Sequence, residues 1–488
     1  MPATVAPVAT AGVPTQPWQP VYRCAGCGAL AAAAVGMAFR CPSSDGADHL
    51  TTRTLPLTAG ALPWPPPAEP QPFVRFRALS SAWHESARAG MGDAEFVELI
   101  EDLDAAVERA DGAGFRATPL IRLAQAESDL GVAPEGRIFA KVDARNAGGS
   151  HKTRHLFGLM THLLVRERIV ERQGLPRPQR PPLAIASCGN AALAAAVVAK
   201  AARWPLSVYV PPHADDRILT RLAELGATLH ACPRVPGEVG DPCYLRFREA
   251  IGAGALPFCC QGTDNGLTIE GGATLAWELA CQLKEAATSL DDLVIQVGGG
   301  ALLSATVQGL REVQALGGLP RLPRFWAVQT TGAWPLRRAW QQALDDIAEA
   351  RAAAGLPFPG VEETSARMRW VADHWDDAAV DSVRAGMRAD RRRYMWPWET
   401  EPHSVAEGIL DDETYDWRVC VEAMLETGGA PVVVEERLLI AANETASRDA
   451  GTPISATGSA GLAGVLHLHA VGLISRTRRV GVLLTGRG

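Results

Sequence analysis

From Thr118 to the end of the chain, short apolar runs alternate with longer amphipathic stretches, and no other feature limits the fold as much. Arg137–Val142, Leu183–Ser187, Leu206–Val210, Ala227–Ala231, Leu293–Val297, Phe325–Gln329 and Val480–Leu484 read as strands. Between them, Ala191–Ala202, Asp216–Leu225 and Gly271–Ala286 carry helical patterns. Strands separated by helices imply parallel sheets covered on both faces, because a parallel crossover needs a helix to return the chain. The expected class is α/β, with two doubly wound parallel-sheet domains. Residues 75–115 also read as helical and mixed in charge. The acidic, Trp-rich stretch Gly360–Trp417 breaks the alternation and is expected to be a helical insertion.

At 488 residues and 47% hydrophobic composition, the chain has material for two or more packed cores. Residues 1–70 form a separate unit, closed by the stiff Pro-rich run Leu62–Phe73. The expected division is a large domain from 71–150 and 266–488 and a small mobile domain from 151–265. The first twenty residues lack the basic start and apolar core of a secretory signal, and their Pro, Ala and Thr content reads as a disordered lead-in. A net charge of −7 opposes a nucleic-acid surface, and no run of eighteen apolar residues suggests a membrane span. Ten scattered cysteines fit reduced thiols in a cytoplasmic protein.

Four turns carry the chemistry. Asn146-Ala-Gly-Gly-Ser-His-Lys152 follows a strand and leads into a helix over His155–Arg166, so the Lys152 amine can point into a cleft, with Ser150 beside it. A desolvated lysine loses its proton readily and is the side chain for a Schiff base. Ser187-Cys188-Gly189-Asn190 opens an Ala-rich helix whose free N–H groups suit a carboxylate. Gly298-Gly299-Gly300-Ala301-Leu302 also opens a helix, and consecutive glycines let backbone wrap a phosphate. The fourth, Pro453–Gly461, is dense in small and hydroxylated residues before an apolar helix. Taken singly, each is equally an ordinary helix cap or surface turn.

In this order the four segments resemble the fold type II pyridoxal-phosphate enzymes: threonine synthase, serine/threonine dehydratase, cysteine synthase and the tryptophan synthase β chain. Thr118-Pro-Leu, Val210-Pro-Pro, Leu225-Gly-Ala-Thr-Leu229, Glu270–Glu278, Ser404-Val-Ala-Glu-Gly408 and Leu484-Thr-Gly-Arg-Gly488 extend the likeness over Thr118–Gly488. The resemblance implies that Lys152 carries pyridoxal 5'-phosphate and acts as general base. It implies that Ser150, Ser187, Cys188, Gly189 and Asn190 bind the substrate, with Asn190 also on the cofactor's phenolic oxygen. Gly298, Gly299, Gly300, Ala301 and Leu302 would hold the phosphate. Thr457 would face the pyridine nitrogen, with Ser455 and Ser459 as alternatives one short slip away. A neutral hydroxyl there tempers the electron sink and suits α-proton removal followed by loss of a leaving group.

The family's threonine synthases read Asn-Pro-Thr-Gly-Ser-Phe-Lys-Asp-Arg around the lysine. Here Ala147-Gly148 stands for Pro-Thr, His151 for Phe and Thr153 for Asp. Ser-His-Lys is closer to the tryptophan synthase β chain, so β-elimination or β-replacement on a serine- or threonine-like amino acid is expected. Threonine synthase chemistry on O-phosphohomoserine is the alternative, and a non-catalytic binding scaffold is the alternative of another class. A homodimer is the family expectation. Upstream, Cys24-Ala-Gly-Cys27 with Cys41 and His49 resembles a degenerate zinc ribbon, since tetrahedral zinc takes four Cys or His ligands. A structural zinc site and a metal-free vestige with reduced thiols both remain open.

Overall fold

The computed structural model describes residues 12–31, 39–43, 49–238 and 240–487. The first eleven residues of the expected lead-in, and Gly488 of the terminal motif, lie outside the described residues. Thirteen strands occur among the described residues, in three sheets. β1 (Val21–Cys24), β2 (Leu30–Ala31) and β3 (Thr51–Thr54) form a small antiparallel sheet in the order β2-β1-β3.

The largest sheet has six strands: β4 (Leu120–Arg122), β5 (Arg137–Val142), β10 (Asp292–Gln296), β11 (Arg324–Thr330), β12 (Pro431–Val434) and β13 (Arg479–Leu484). Its order is β12-β11-β10-β13-β5-β4, parallel throughout except at the β4 edge. The third sheet takes β6 (Leu183–Ala186), β7 (Leu206–Val210), β8 (Thr228–Ala231) and β9 (Leu256–Pro257) in the parallel order β8-β7-β6-β9. β10, at the middle of the six-stranded sheet, is buried at all five residues and so reads as an apolar run, whereas β7 alternates with Ser207 and Tyr209 half-buried.

Two cores follow. One lies around the six-stranded sheet, with Leu293, Ile295, Val328 and Val482 at its centre. The other gathers the four-stranded sheet, the long helix Lys152–Arg172 and the upstream helices, which contribute Phe73, Trp83, Phe96 and Ile100. All seven expected strands are present, within a residue at either end. The helix expected at His155–Arg166 runs over Lys152–Arg172, so Lys152 lies in its first turn.

Gly360–Trp417 is helical only in part. Helices span Thr364–Asp373, Ala378–Ala389 and Arg391–Tyr394, and the rest runs as irregular chain with one short turn at Glu407–Ile409. That irregular part, here called the strap, packs onto the glycine turn instead of forming its own layer. Among the described residues no helix is long and apolar enough to cross a membrane.

Candidate active site

The expected turns leave the carboxyl ends of parallel strands: residues 143–152 follow β5, Ser187–Asn190 follows β6, Gly298–Gly300 follows β10 and Thr485–Arg487 follows β13. Open parallel sheets place ligands at that edge, where strand ends splay apart and helix N-termini point inward.

Backbone bonds draw several of them together. His151 N–H donates to Thr485 O (3.3 Å), Arg487 N–H to Gly149 O (2.8 Å) and Ser455 N–H to Gly486 O (2.9 Å). The lysine turn and the start of helix Ala456–Ala470 therefore share the C-terminal segment as a common wall. Gln296, at the end of β10, donates through its amide to Leu483 O (2.9 Å), Gly458 O (3.1 Å) and Thr485 Oγ1 (2.7 Å), adding the glycine turn to the same frame.

The lysine turn needs its glycines. Gly148 and Gly149 both take positive φ (68° and 61°), and a Cβ on Gly148 would lie 2.0 Å from Thr153 Oγ1. Behind the turn, Arg154 donates to Asp143 Oδ1 (2.8 Å), Thr274 Oγ1 (3.0 Å) and Glu278 Oε1 (2.7 Å), and Lys141 donates to Glu278 Oε2 (2.7 Å). All four charged groups are buried. Burial alone would raise the Glu278 carboxyl, but the Arg154 and Lys141 charges outweigh it and hold it at about 2. The helix bearing Lys152 crosses helix Thr268–Glu285 so closely that a Cβ on Gly271 would stand 2.2 Å from Arg154 O.

Around Lys152, buried polar atoms of Ser150 (Oγ), His151 (both ring nitrogens) and Thr153 (Oγ1) lack a hydrogen-bond partner. Burial, with the Lys152 charge next, pushes the His151 imidazole well below its ordinary range, so it is neutral. Unpaired buried polar atoms are rare, and a cluster of them beside a lysine points to a ligand. Cys260 lies on the same side, its Sγ 4.0 Å from Lys152 O.

The glycine turn opens helix Ala301–Ala315, with Gly300 in the left-handed region (φ 95°) at the cap. The first-turn N–H groups of such a helix have no intrahelical acceptor. The strap Ile409–Asp416 covers the turn. Thr414 Oγ1 donates to Gly298 O (2.8 Å) and Asp416 N–H to Gly299 O (2.9 Å), and a Cβ on Gly298 would stand 2.1 Å from Asp411 Oδ2. Burial raises the Asp411 carboxyl, and the Lys152 charge and the Gly299 N–H pull against it without winning. Through Asp411 the lysine and the glycine turn share one electrostatic environment.

Ser187 and Gly189 are half-buried, and Cys188 and Asn190 are exposed at the mouth. Ser187 Oγ accepts the Gly189 N–H (3.4 Å), and the helix that Asn190 begins packs on the Ala147–Gly149 turn. Partial burial of its sulfur, then the charges of Asp241 and Glu407, raises the Cys188 thiol. Thr457 Oγ1 accepts the Gly408 N–H (3.0 Å).

A family model described as pyridoxal-phosphate dependent enzyme matches residues 113–374, more than half of the chain. This chain belongs to that family. The enzyme is 22% identical over 377 residues to threonine synthase of Methanosarcina acetivorans, covering 76% of this chain and 74% of that one. It is 28% identical over 233 residues to L-serine dehydratase of Saccharomyces cerevisiae, covering 45% of this chain and 65% of that one. Among solved structures, the processed form of threonine deaminase isoform 2 from Solanum lycopersicum superposes with a TM-score of 0.52 at 15% identity, covering 82% of this chain and 86% of that one. A pyridoxal 5'-phosphate-dependent aspartate racemase gives 0.51 at 16% identity, covering 80% and 94%. Both share the fold.

The residues present fit the cofactor in kind. A lysine in a first helical turn is flanked in the chain by residues with buried, unpartnered polar atoms, and a glycine turn at a helix N-terminus supplies an anion seat. Asp411 stands against that seat at Gly298 and Asp416 borders it at Gly300, and a carboxylate charge there opposes an incoming phosphate. His151, Asp411 and Gln296 were not read as site residues from the sequence. Gln296, a polar residue in an otherwise apolar strand, was the available signal; Asp411 had none.

The N-terminal donors also converge. One ligand atom from each of Cys24, Cys27, Cys41 and His49 lies within 4.8 Å of the others, with Cys27 Sγ 3.5 Å from Cys41 Sγ and Cys24 Sγ 3.3 Å from His49 Nδ1. Gly26 and Cys27 N–H groups donate to Cys24 Sγ (3.2 and 3.4 Å), and Ser43 N–H to Cys41 Sγ (3.4 Å).

Proposed function

We propose that the enzyme catalyses β-elimination or β-replacement on a serine- or threonine-like amino acid, with Lys152 as the covalent anchor of pyridoxal 5'-phosphate. The observation that carries this reading is the set of buried, unpartnered polar atoms on Ser150, His151 and Thr153, the residues flanking Lys152 at the carboxyl edge of the sheet. When bound, the cofactor supplies the electron sink that acidifies the substrate Cα–H. Lys152, which would hold the cofactor, would with its amine free serve as the general base for that proton. The Ser187–Asn190 turn holds the substrate carboxylate on backbone N–H groups and so sets the direction of the Cα–H bond. Gly298–Leu302 hold the phosphate.

Thr457 is the partner of the pyridine nitrogen. Ser455 Oγ is committed as the helix cap, accepting the Gly458 N–H (3.0 Å). Ser459 Oγ donates to Ser455 O (3.0 Å) and accepts from Asn443 (3.1 Å). Thr457 spends only its acceptor side on Gly408, which leaves its hydrogen for a ring nitrogen. Closure of the unit formed by 151–265 then excludes water.

The charge at the mouth supports an uncharged side chain on the substrate. Burial, followed by the charges of Asp241, Glu401 and Glu413, raises the Asp412 carboxyl, and the charges of Asp241 and Glu407 also act on the Cys188 thiol. A phosphate-bearing amino acid meets repulsion there. Relatives named L-serine dehydratase agree with this reading. Threonine synthase chemistry is the second reading, favoured by the long match to the Methanosarcina acetivorans protein. The four N-terminal donors take one structural zinc ion, their mutual spacing being that of a tetrahedral site.

The test is the visible absorption spectrum of wild type and Lys152→Ala with cofactor, followed by a panel of amino acids. The wild type is expected to show a band that borohydride fixes to the peptide containing Lys152, and serine or threonine to release a 2-oxo acid. A wild type that stays colourless with added cofactor ends the enzyme reading. Release of inorganic phosphate from O-phosphohomoserine, with no reaction on serine or threonine, moves the assignment to the second reading.

A further inference from the structure

The metal cluster is packed directly behind the glycine turn. His49 leads through Leu50 into β3, and buried Leu50 forms a small apolar cluster with Ile269 and Ala305. Ala305 belongs to helix Ala301–Ala315, the helix the glycine turn opens, and Ile269 to helix Thr268–Glu285. The chain Gly262–Gly266 is pressed under the same strand. A Cβ on Gly262 would stand 2.4 Å from Leu50 Cδ1, and one on Gly266 would stand 1.6 Å from Thr51 O. Gly266 N–H donates to Phe39 O (3.1 Å), and Ala25 N–H, inside the Cys24–Cys27 turn, donates to Leu50 O (2.8 Å).

From there two hydrogen bonds reach the site. Gly262 N–H donates to Asp416 Oδ1 (3.1 Å), and Asp416 N–H donates to Gly299 O (2.9 Å). A second tie runs through Arg53 of β3, buried and ion-paired with Glu270 and with Glu312 (2.8 Å), one on each of the two helices. The three strands of the extension are too short to hold this arrangement alone, because sheets of this size are marginal without a staple. A metal bound by Cys24, Cys27, Cys41 and His49 fixes four points of the segment at once.

We propose that this metal site buttresses the cofactor seat: the bound ion holds Leu50 and Thr51 against Gly262–Gly266 and so keeps the glycine turn in the shape that receives the phosphate. The proposal rests on reading the cluster as a zinc site and the glycine turn as the phosphate seat. Its consequence is that metal loss is read at the cofactor site.

The experiment titrates pyridoxal 5'-phosphate into zinc-loaded, chelator-treated and zinc-restored protein, following the visible band and measuring zinc content in each sample. Chelation is expected to weaken cofactor binding at least about 10-fold, and added zinc to restore it. Leu50→Ala keeps all four ligands and cuts the relay. It is expected to retain one zinc, bind cofactor several-fold more weakly and lose little more on chelation, since the contact that transmits the change is already gone. Zinc removal that leaves the Kd for cofactor unchanged overturns the proposal while both underlying readings stand. So does a Leu50→Ala protein with wild-type affinity and the full response to chelation. A chain that takes up no zinc overturns it together with the metal reading, and zinc-loaded protein that never binds cofactor overturns it together with the cofactor reading.

Discussion

Replacing Glu278 by Gln tests how the lysine turn is held. Its carboxylate accepts from Arg154, two residues beyond Lys152, from Lys141 on β5, and from the Thr118 N–H (2.9 Å) at the opening of β4. The Gln leaves Lys141 buried without a carboxylate and Arg154 with Asp143 alone, and breaking one side of such a pair costs about 3–5 kcal/mol. The titration argument is of similar size. The folded carboxyl sits at about 2 against an ordinary 4.5, a difference equivalent to roughly 3 kcal/mol. Because the folded value is depressed, this stabilisation is complete above about pH 4.5 and is lost as pH falls toward about 2.

Glu278→Gln is therefore expected to cost about 3 kcal/mol at pH 7 and about 1 kcal/mol at pH 3. Urea unfolding followed by tryptophan fluorescence measures both, with Trp277 next to the substituted position. Comparing the variant with wild type at each pH cancels the other carboxylates, including Glu270, which Arg53 and His162 also hold low against burial. A loss below about 1 kcal/mol at pH 7, or one equally large at both pH values, refutes the reasoning.

Three further outcomes follow from the site. Gly298→Ala sets a Cβ 2.1 Å from Asp411 Oδ2 and 2.9 Å from Ile409 Cα, so the strap must shift, and cofactor affinity by absorbance titration falls about 10-fold or more. Asp411→Asn removes the carboxylate standing against Gly298 in the anion seat and is expected to tighten cofactor binding by about 3- to 10-fold, with unchanged affinity counting against the seat as drawn. Thr457→Asp would hold the ring nitrogen protonated, so turnover is expected to fall while transamination rises; Thr457→Ser keeps the hydroxyl and stays close to wild type, and a Thr457→Asp protein with unchanged reaction partition places the ring elsewhere.

The seven expected strands and the turns at their ends were legible because each depends on neighbours in the chain. A doubly buried strand must be apolar along its length, and a turn that wraps an anion must be made of glycines and small residues. β12 (Pro431–Val434), a short edge strand opened by a proline, was not read from the sequence. The insertion Gly360–Trp417 was read as helical from composition, and its last third instead becomes the strap over Gly298–Gly300.

The amino-acid sequence by itself determined the α/β class, the order of the strands along the chain, Lys152 in its turn and the glycine turn before helix Ala301–Ala315. These are encoded within spans of a few to a dozen residues. Tertiary structure alone decided that Asp411 lies against Gly298, that the His151 ring nitrogens have no hydrogen-bond partner, that Gln296 joins three segments, and that Leu50 reaches Ile269 and Ala305. Each of these pairings joins residues far apart in the chain, or depends on what the rest of the fold leaves unpaired. Local periodicity and turn chemistry hold no record of such contacts, because they exist only once separate sheets and helices have packed.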